Sequence, residues 1–168
     1  MPEISIIIPC YNSTQFLSDC LNSVVDQTFK DWEAIIVDDA STTDDVRGFV
    51  INHFPDQRIR VIKHEVNLGP GGARNTGIRL ASSKYILPVD ADDKLDNTFL
   101  EKLSSLINQH PEGNLFFPDF ILFGEETGYI CYPILGISQL LLTQWLPGSG
   151  TIFPRELWEM VGGYSESA

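Results

Sequence analysis

Cysteine and histidine are scarce in this chain of 168 residues, with three of each. Cys10, Cys20 and Cys131 are odd in number and form no C-x-x-C pair, so we expect a reduced, cytoplasmic protein without a disulfide framework. The histidines lie far apart without the spacing of metal ligands. We therefore expect each histidine to be an ordinary loop or helix-end residue, and the sequence predicts no transition-metal site.

Basic residues are also few, because 11 Lys and Arg face 23 Asp and Glu, for a formal net charge of -12. Binding to a nucleic-acid backbone needs a basic face, so nucleic acid is not an expected partner. An anionic small substrate would require a metal ion or a local arginine to offset the negative field. No apolar run approaches the roughly 18–20 residues that cross a bilayer, and the N-terminus lacks a basic signal-peptide region. With 43% apolar residues, the chain is expected to form a soluble globular domain.

Strands and helices alternate in the predicted first half of the chain. Strands are expected at residues 4–8, 32–37, 59–63 and 85–89. Three helices are expected between them: one capped by Ser13 or Thr14, one capped by Thr42, Thr43 or Asp44, and one over residues 73–81. This order predicts an α/β fold with a mostly parallel sheet and helices on both faces. Ligands of such sheets bind beyond the carboxyl ends of the strands.

The pattern changes after residue 93. We expect an amphipathic helix around residues 99–107, strands at 115–123 and 129–134, a short helix over 137–146, a strand at 149–153, and a helix with Pro154 at its first position that runs to Val161. Two strands joined by a polar turn indicate a hairpin or a mixed edge of the sheet.

An acidic cluster, Asp90-Ala91-Asp92-Asp93, directly follows the fourth predicted strand. Three carboxylates within four positions repel one another unless a cation or hydrogen-bond donors lie between them, and Mg²⁺ would also leave positions open for phosphate oxygens. A solvated turn that caps a helix near Asn97 is the alternative. A haloacid-dehalogenase-like phosphohydrolase is a second alternative, although Lys94 stands where that pattern has Thr or Val.

A glycine-rich segment, Gly69 to Gly72, precedes Arg74. The dinucleotide fingerprint fails here because its third glycine would fall at Arg74, and a P-loop fails because no Gly-Lys-Ser/Thr follows. A helix N-terminus with a nearby cation suits a diphosphate or a base edge. The alternative is that Arg74 is an ordinary surface residue in the first helical turn.

Taken in order, these motifs resemble the family 2 glycosyltransferases of the GT-A fold. The segments that carry the resemblance are 5–12, 21–29, 36–44, 67–69, 73–78 and 90–93, followed by 148–150, 153–155 and 161–164. The resemblance implies a single GT-A domain over residues 1–168, in which 1–93 form the nucleotide-binding half and 94–168 begin the acceptor half.

The resemblance also implies a nucleotide site built from the first two strand ends. Pro9 and Tyr11 would hold the base, and Asp39 would accept the imide N–H of a uracil, a contact that thymine could also satisfy. Asp38 would support that loop. The implied partner is a nucleoside-diphosphate sugar, most simply a UDP-sugar.

The diphosphate half is implied by the remaining motifs. Arg74 would reach the base or the diphosphate, Asp90 the ribose hydroxyls or a metal-bound water, and Ala91 is a further donor-binding position. Asp92, with Asp90, would ligate Mn²⁺ or Mg²⁺, which offsets the charge on the departing nucleoside diphosphate. The role of Asp93 stays open between support of this site and a helix cap.

The implied reaction is transfer of the sugar, with inversion, to a hydroxyl of a carbohydrate or lipid-linked acceptor. Such a reaction needs a base, which the family places just after the segment that ends here at Tyr164. Glu166 is not assigned this role, and we expect the base beyond Ala168, in a longer protein that could lie at a membrane surface. Donor binding without turnover is the alternative function.

Overall fold

The computed structural model describes residues 1–112, 115–124, 126–131 and 149–166. The strands are β1 (Ile4–Cys10), β2 (Trp32–Asp38), β3 (Ile59–Lys63), β4 (Tyr85–Pro88), β5 (Phe120–Leu122), β6 (Gly128–Ile130) and β7 (Phe153–Pro154). The helices are α1 (Thr14–Val25), α2 (Val46–His53), α3 (Gly69–Leu80), α4 (Phe99–Gln109) and α5 (Arg155–Val161).

The main sheet has the strand order β3-β2-β1-β4-β7, in which the first four strands are parallel and β7 is antiparallel to β4. Strands β5 and β6 form a separate antiparallel hairpin. The predicted parallel sheet with a mixed edge is therefore confirmed. The chain moves from β1 outward to β3 and then returns to the other side of β1, so the strand order switches between β1 and β4, which is where open α/β sheets bind ligands.

Apolar residues cover both faces of this sheet. Ile4, Ile6 and Ile8 of β1 are buried in the cluster that contains the apolar faces of α1, α2 and α4. Ile7 points to the opposite cluster, where α3 and α5 pack. Both faces are apolar because side chains alternate along a strand and a parallel sheet is covered on both sides.

Helix α3 begins at Gly69, four residues before its predicted start. The glycine-rich segment therefore forms the first turn of the helix, where Pro70 is tolerated because its missing N–H has no intrahelical partner. Gly69 has a φ of +73°, a conformation that favours glycine. Arg74 consequently lies beyond the first turn.

The predicted cap of α2 is wrong, and the cap of α1 has the predicted position at Ser13 without a side-chain cap hydrogen bond. The side chain of Asp45, not Thr42, Thr43 or Asp44, accepts the cap hydrogen bond of α2, from the N–H of Gly48. Asp44 instead accepts the N–H of Thr14 at the start of α1, at 2.8 Å. Ser13 holds the N-cap position of α1, but its hydroxyl donates to the carbonyl of Tyr11.

The second half departs most from the predicted boundaries. Both hairpin strands are shorter than expected, and β7 begins at Phe153 with Pro154 at the N-cap of α5 rather than at its first helical position. Ile152 pairs with Phe116 in an isolated bridge. The predicted helix over 137–146 and the end of the strand predicted at 129–134 lie outside the described residues. Within the described ranges, every helix is too short or too polar to cross a membrane.

Candidate functional site

A cleft of about 550 Å³ opens at the carboxyl ends of β1, β2 and β4 and at the start of α3. Its lining includes each residue singled out from the sequence for donor or metal binding: Pro9, Tyr11, Asp39, Arg74, Asp90, Ala91 and Asp92. The parallel register explains this convergence, since Cys10 pairs with Asp38 and Ile7 with Pro88, so the three strands end at one edge.

Asp39 is a buried carboxylate in the wall of this cleft, with 3% of its surface exposed. Its Oδ1 accepts hydrogen bonds from the Nδ1–H of His64 at 2.7 Å and from the N–H of Leu68 at 2.9 Å. Its backbone carbonyl accepts from the side chain of Asn67. In the described part of the chain no hydrogen bond reaches Oδ2, so this oxygen is the one available to a ligand.

Asp38 turns away from the cleft and supports the loop after β2, as expected. Its Oδ1 accepts the N–H of Ser41 at 2.8 Å, and its Oδ2 lies 3.2 Å from the Nζ of Lys63. The loop passes through Ala40 at a φ of +62°, a region that few non-glycine residues adopt. These bonds therefore hold a strained backbone beside Asp39.

Asn12 connects the loop after β1 to the loop after β2 through hydrogen bonds, a structural role that its position in the sequence did not indicate. Its N–H donates to the Ser41 hydroxyl, and its Oδ1 accepts the N–H groups of Thr42 and Thr43 at 2.9 and 3.1 Å. The φ of Asn12 is +51°, which asparagine tolerates better than most residues. Tyr11, which is 47% exposed, directly precedes Asn12 and lines the rim of the cleft.

Arg74 and Asp90 form an ion pair across the cleft, with Nη2 and Oδ1 2.5 Å apart. The Arg74 side chain is only 15% exposed, which excludes the ordinary surface residue considered from the sequence. Its Nε is buried, and the described residues offer it no hydrogen-bond partner. The guanidinium carbon lies 5.6 Å from the centre of the Tyr164 ring. Arg74 therefore provides a fixed positive charge in an otherwise acidic site.

The three carboxylates of the acidic cluster have different surroundings. Asp90 pairs with Arg74, whereas the hydroxyl of Ser149 accepts the N–H of Asp90 and donates to Asp93. Burial raises the pKa of Asp93, and the neighbouring Asp90 and Asp92 raise it further against that hydrogen bond. Asp92 is exposed, and its carboxylate has no hydrogen bond or ion pair to any described residue.

Neither a metal cage nor a helix cap is formed by this cluster. Among the described residues, no three His, Cys, Asp or Glu side chains are grouped as a metal site. A divalent ion would thus find one free carboxylate, that of Asp92, and would need its other ligands from water or substrate oxygens, a donor set that suits Mg²⁺ or Mn²⁺. Helix α4 has Thr98 at its N-cap, so Asp93 does not cap it.

Asn75 connects α3 to the segment that follows α5. Its Oδ1 accepts the Nε1–H of Trp158 and the N–H of Tyr164, both at 2.9 Å. Its Nδ2 donates to the carbonyl of Tyr164 at 3.0 Å and to Glu166 at 2.8 Å. Hydrogen bonds from Asn75 and Arg79 lower the pKa of Glu166. The carboxylate of Glu166 thus contacts side chains of α3 and is not part of the lining of the cleft.

Comparison with known proteins identifies both family and fold. A model of the family described as "Glycosyl transferase family 2" matches residues 5–131. Glycosyltransferase GlyA of Streptococcus pneumoniae is 35% identical over 138 residues, which cover 81% of this chain and 19% of GlyA. The Escherichia coli protein named UDP-Glc:alpha-D-GlcNAc-diphosphoundecaprenol beta-1,3-glucosyltransferase WfgD is 40% identical over 90 residues, or 54% of this chain and 35% of WfgD. The chain thus spans less than half the length of these relatives.

Solved structures agree with the predicted GT-A fold. Residues 1–349 of TarS from S. aureus, in complex with UDP, match with a TM-score of 0.82 at 23% identity, over 98% of this chain and 50% of that one. The mannosyltransferase PcManGT from Pyrobaculum calidifontis, in complex with GDP-Man and Mn²⁺, matches with a TM-score of 0.75 at 20% identity, over 99% of this chain and 48% of that one. At these identities the likeness concerns the fold, which confirms the predicted architecture.

Proposed function

This chain belongs to glycosyltransferase family 2, and from that premise we propose that it binds a UDP-sugar and a divalent metal ion as the donor-binding part of an inverting glycosyltransferase. The observation that carries the proposal is the arrangement of the cleft. One end presents the free Oδ2 of the buried Asp39, and the other presents Arg74 with the exposed carboxylate of Asp92.

The Asp39 end suits a uracil base. An ionised carboxylate only accepts hydrogen bonds, so Oδ2 can receive the N3–H of uracil but would face an acceptor at N3 of cytosine. Pro9 and the rim residue Tyr11 supply apolar surface for the face of the base. The TarS structures with UDP and UDP-GlcNAc support a uridine donor for a domain of this fold.

The other end of the cleft suits a diphosphate. Arg74 provides the cation that a chain with a net charge of -12 needs in order to attract an anionic donor. Asp92 would hold Mn²⁺ or Mg²⁺, and Asp90 would keep Arg74 in place. When bound, the metal stabilises the charge that develops on the departing nucleoside diphosphate. The Mn²⁺ complex of PcManGT supports this assignment.

Donor binding without turnover remains the second candidate, and the position of Glu166 favours it for this chain alone. That carboxylate is engaged by Asn75 and Arg79 and does not line the cleft, so we do not assign it as the base that deprotonates an acceptor hydroxyl. We propose that the base and most of the acceptor site belong to other parts of the protein. Turnover by a longer chain, but not by this one, would support the transferase, whereas activity of neither would favour the binding module.

The proposal is tested by calorimetric titration with UDP in the presence and absence of Mn²⁺. We expect Mn²⁺ to tighten UDP binding in the wild type at least tenfold, and Asp92→Asn to abolish this dependence, because it removes the free carboxylate. Asp31→Asn is the matched control, since Asp31 is exposed and precedes β2 at the opposite end of the sheet. Absence of UDP binding, or Mn²⁺ dependence that survives in Asp92→Asn, would contradict the proposal.

A further inference from the structure

His64 follows β3 and fills the space behind Asp39. Its Nδ1 lies 2.7 Å from Asp39 Oδ1, its Nε2 lies 3.0 Å from the Thr76 hydroxyl, and its side chain is 10% exposed. Its backbone N–H donates to the carbonyl of Asp38 at 2.8 Å. The imidazole is thus held between β2 and α3, with Asp39 between it and the cleft.

The hydrogen at Nδ1 of the imidazole follows from its partner Asp39. An ionised carboxylate has no proton to donate, so Nδ1 must carry the hydrogen of the His64–Asp39 bond. In a neutral ring Nε2 then accepts a hydrogen bond from the Thr76 hydroxyl, and in a charged ring Nε2–H donates one to it. The bond to Asp39 therefore exists in both charge states of His64.

The two donors on Oδ1 fix the rotation of the Asp39 carboxylate. The terminal torsion of aspartate is broad and roughly two-fold, so a carboxylate without such partners samples several orientations. With His64 and the N–H of Leu68 both on Oδ1, the free oxygen is Oδ2, and Asp39 lies in the lining of the cleft. If the imidazole were lost, only the Leu68 N–H would remain on Oδ1.

We propose that His64 is a positioning residue for nucleobase selection, because it holds Oδ1 of Asp39 so that Oδ2 meets the N3–H of a uracil. This inference rests on the proposed function. Since His64 lies behind Asp39, it contributes through the orientation of the carboxylate, and its substitution should affect the recognition of the base edge and leave diphosphate binding intact.

The test compares UDP with N3-methyl-UDP, in which a methyl group replaces the N3 hydrogen, at saturating Mn²⁺. We expect the wild type to prefer UDP by about tenfold or more, the effect of one hydrogen bond to a charged group. His64→Leu should reduce this ratio severalfold, whereas His64→Asn, which retains an N–H donor near the position of Nδ1, should restore most of it. Inorganic pyrophosphate should bind the wild type and both variants equally, and His110→Leu, an exposed histidine at the end of α4, is the control.

Each outcome separates this inference from the proposed function. A wild-type ratio that is unchanged in His64→Leu would overturn the inference alone, as would an equal loss of UDP and pyrophosphate binding in that variant. If His64→Leu does not fold, Thr76→Val, which removes the hydroxyl partner of Nε2, must lower the ratio in the same direction, and an unchanged ratio there would overturn the inference. Failure of the wild type to bind UDP would overturn the proposed function together with the inference.

Discussion

Asn75→Ala is the substitution with the most direct predicted effect on stability. The Asn75 side chain is buried in α3 and bonds both to the indole of Trp158 and to the backbone N–H and carbonyl of Tyr164. It also donates to Glu166, a contact that solvent can replace because that carboxylate is half exposed. Alanine removes all of these bonds at once, while the apolar packing of Tyr164 and the bond between Arg79 and Glu166 stay in place.

The expected magnitude follows from the three partly buried hydrogen bonds. Each contributes about 1 kcal/mol net, and a partner left buried without a replacement adds to that cost. The Asn→Ala change itself favours the helix by about 0.5 kcal/mol. We therefore expect Asn75→Ala to lower the free energy of unfolding by about 2–3 kcal/mol.

The measurement is urea unfolding followed by circular dichroism, combined with hydrogen exchange at the Tyr164 amide. Asn52→Ala is the matched control, since Asn52 is exposed on α2 and its replacement should change the free energy of unfolding by less than about 0.5 kcal/mol. The exchange of the Tyr164 amide should accelerate in Asn75→Ala and stay unchanged in Asn52→Ala. Equal unfolding free energies for the two variants, with a protected Tyr164 amide in both, would refute the argument.

Two further predictions concern buried polar groups. Burial raises the pKa of Glu33, but hydrogen bonds from serine side chains and the Arg60 guanidinium more than offset it, so its pKa lies below the usual value. The ionised Glu33 therefore stabilises the fold at neutral pH, and this contribution is lost as the pH falls below about 4.3. In urea unfolding at decreasing pH, the unfolding free energies of the wild type and of Glu33→Gln should therefore converge. A difference between them that stays constant with pH would contradict this. Burial also raises the pKa of Cys10 to about 11 and that of Cys20 to about 12. A thiol reagent at pH 8 should therefore label only the exposed Cys131 rapidly in the native protein, and all three cysteines in denaturant. Rapid native labelling of a second cysteine would contradict the described burial.

The amino-acid sequence predicted the sheet well because the strands can be recognised from their composition. β1 and β2 are largely apolar segments, interrupted by Ser5 and Glu33, and polar residues follow their carboxyl ends, which the parallel pairing brings to one edge. The convergence of Asp39 and Asp90 at one edge therefore follows from the parallel strand order, whereas Arg74 reaches the cleft from α3. Their individual contacts do not follow from the strand order, since a pattern cannot say that Asp90 pairs with Arg74 and that Asp92 stays free.

The contacts missed from the sequence join residues that are far apart along the chain. His64 and Asp39 are 25 positions apart, and Asn75 reaches partners 83 to 91 positions away. No periodicity links such residues, because each pair is created by the packing of a helix on a sheet. The start of α3 was missed for a different reason, because residues Gly69 to Gly72 have the composition of a loop although they form the first turn of the helix. Gly72 is a glycine for a packing reason, since an added Cβ would lie 2.5 Å from the side chain of Leu68.

Consecutive residues of α3 contact both ends of the cleft and the segment that follows α5. Side chains project about 100° apart along an α-helix, so neighbours in sequence face different partners. Arg74 pairs with the acidic cluster, Asn75 holds the segment after α5, and Thr76 supports the imidazole behind Asp39. Gly77 then packs on β1 so closely that an added Cβ would lie 2.4 Å from a methyl group of Ile7. Because this approach fixes the helix against the sheet, one orientation of α3 determines the positions of the Arg74 cation, of the segment after α5 and of the free oxygen of Asp39.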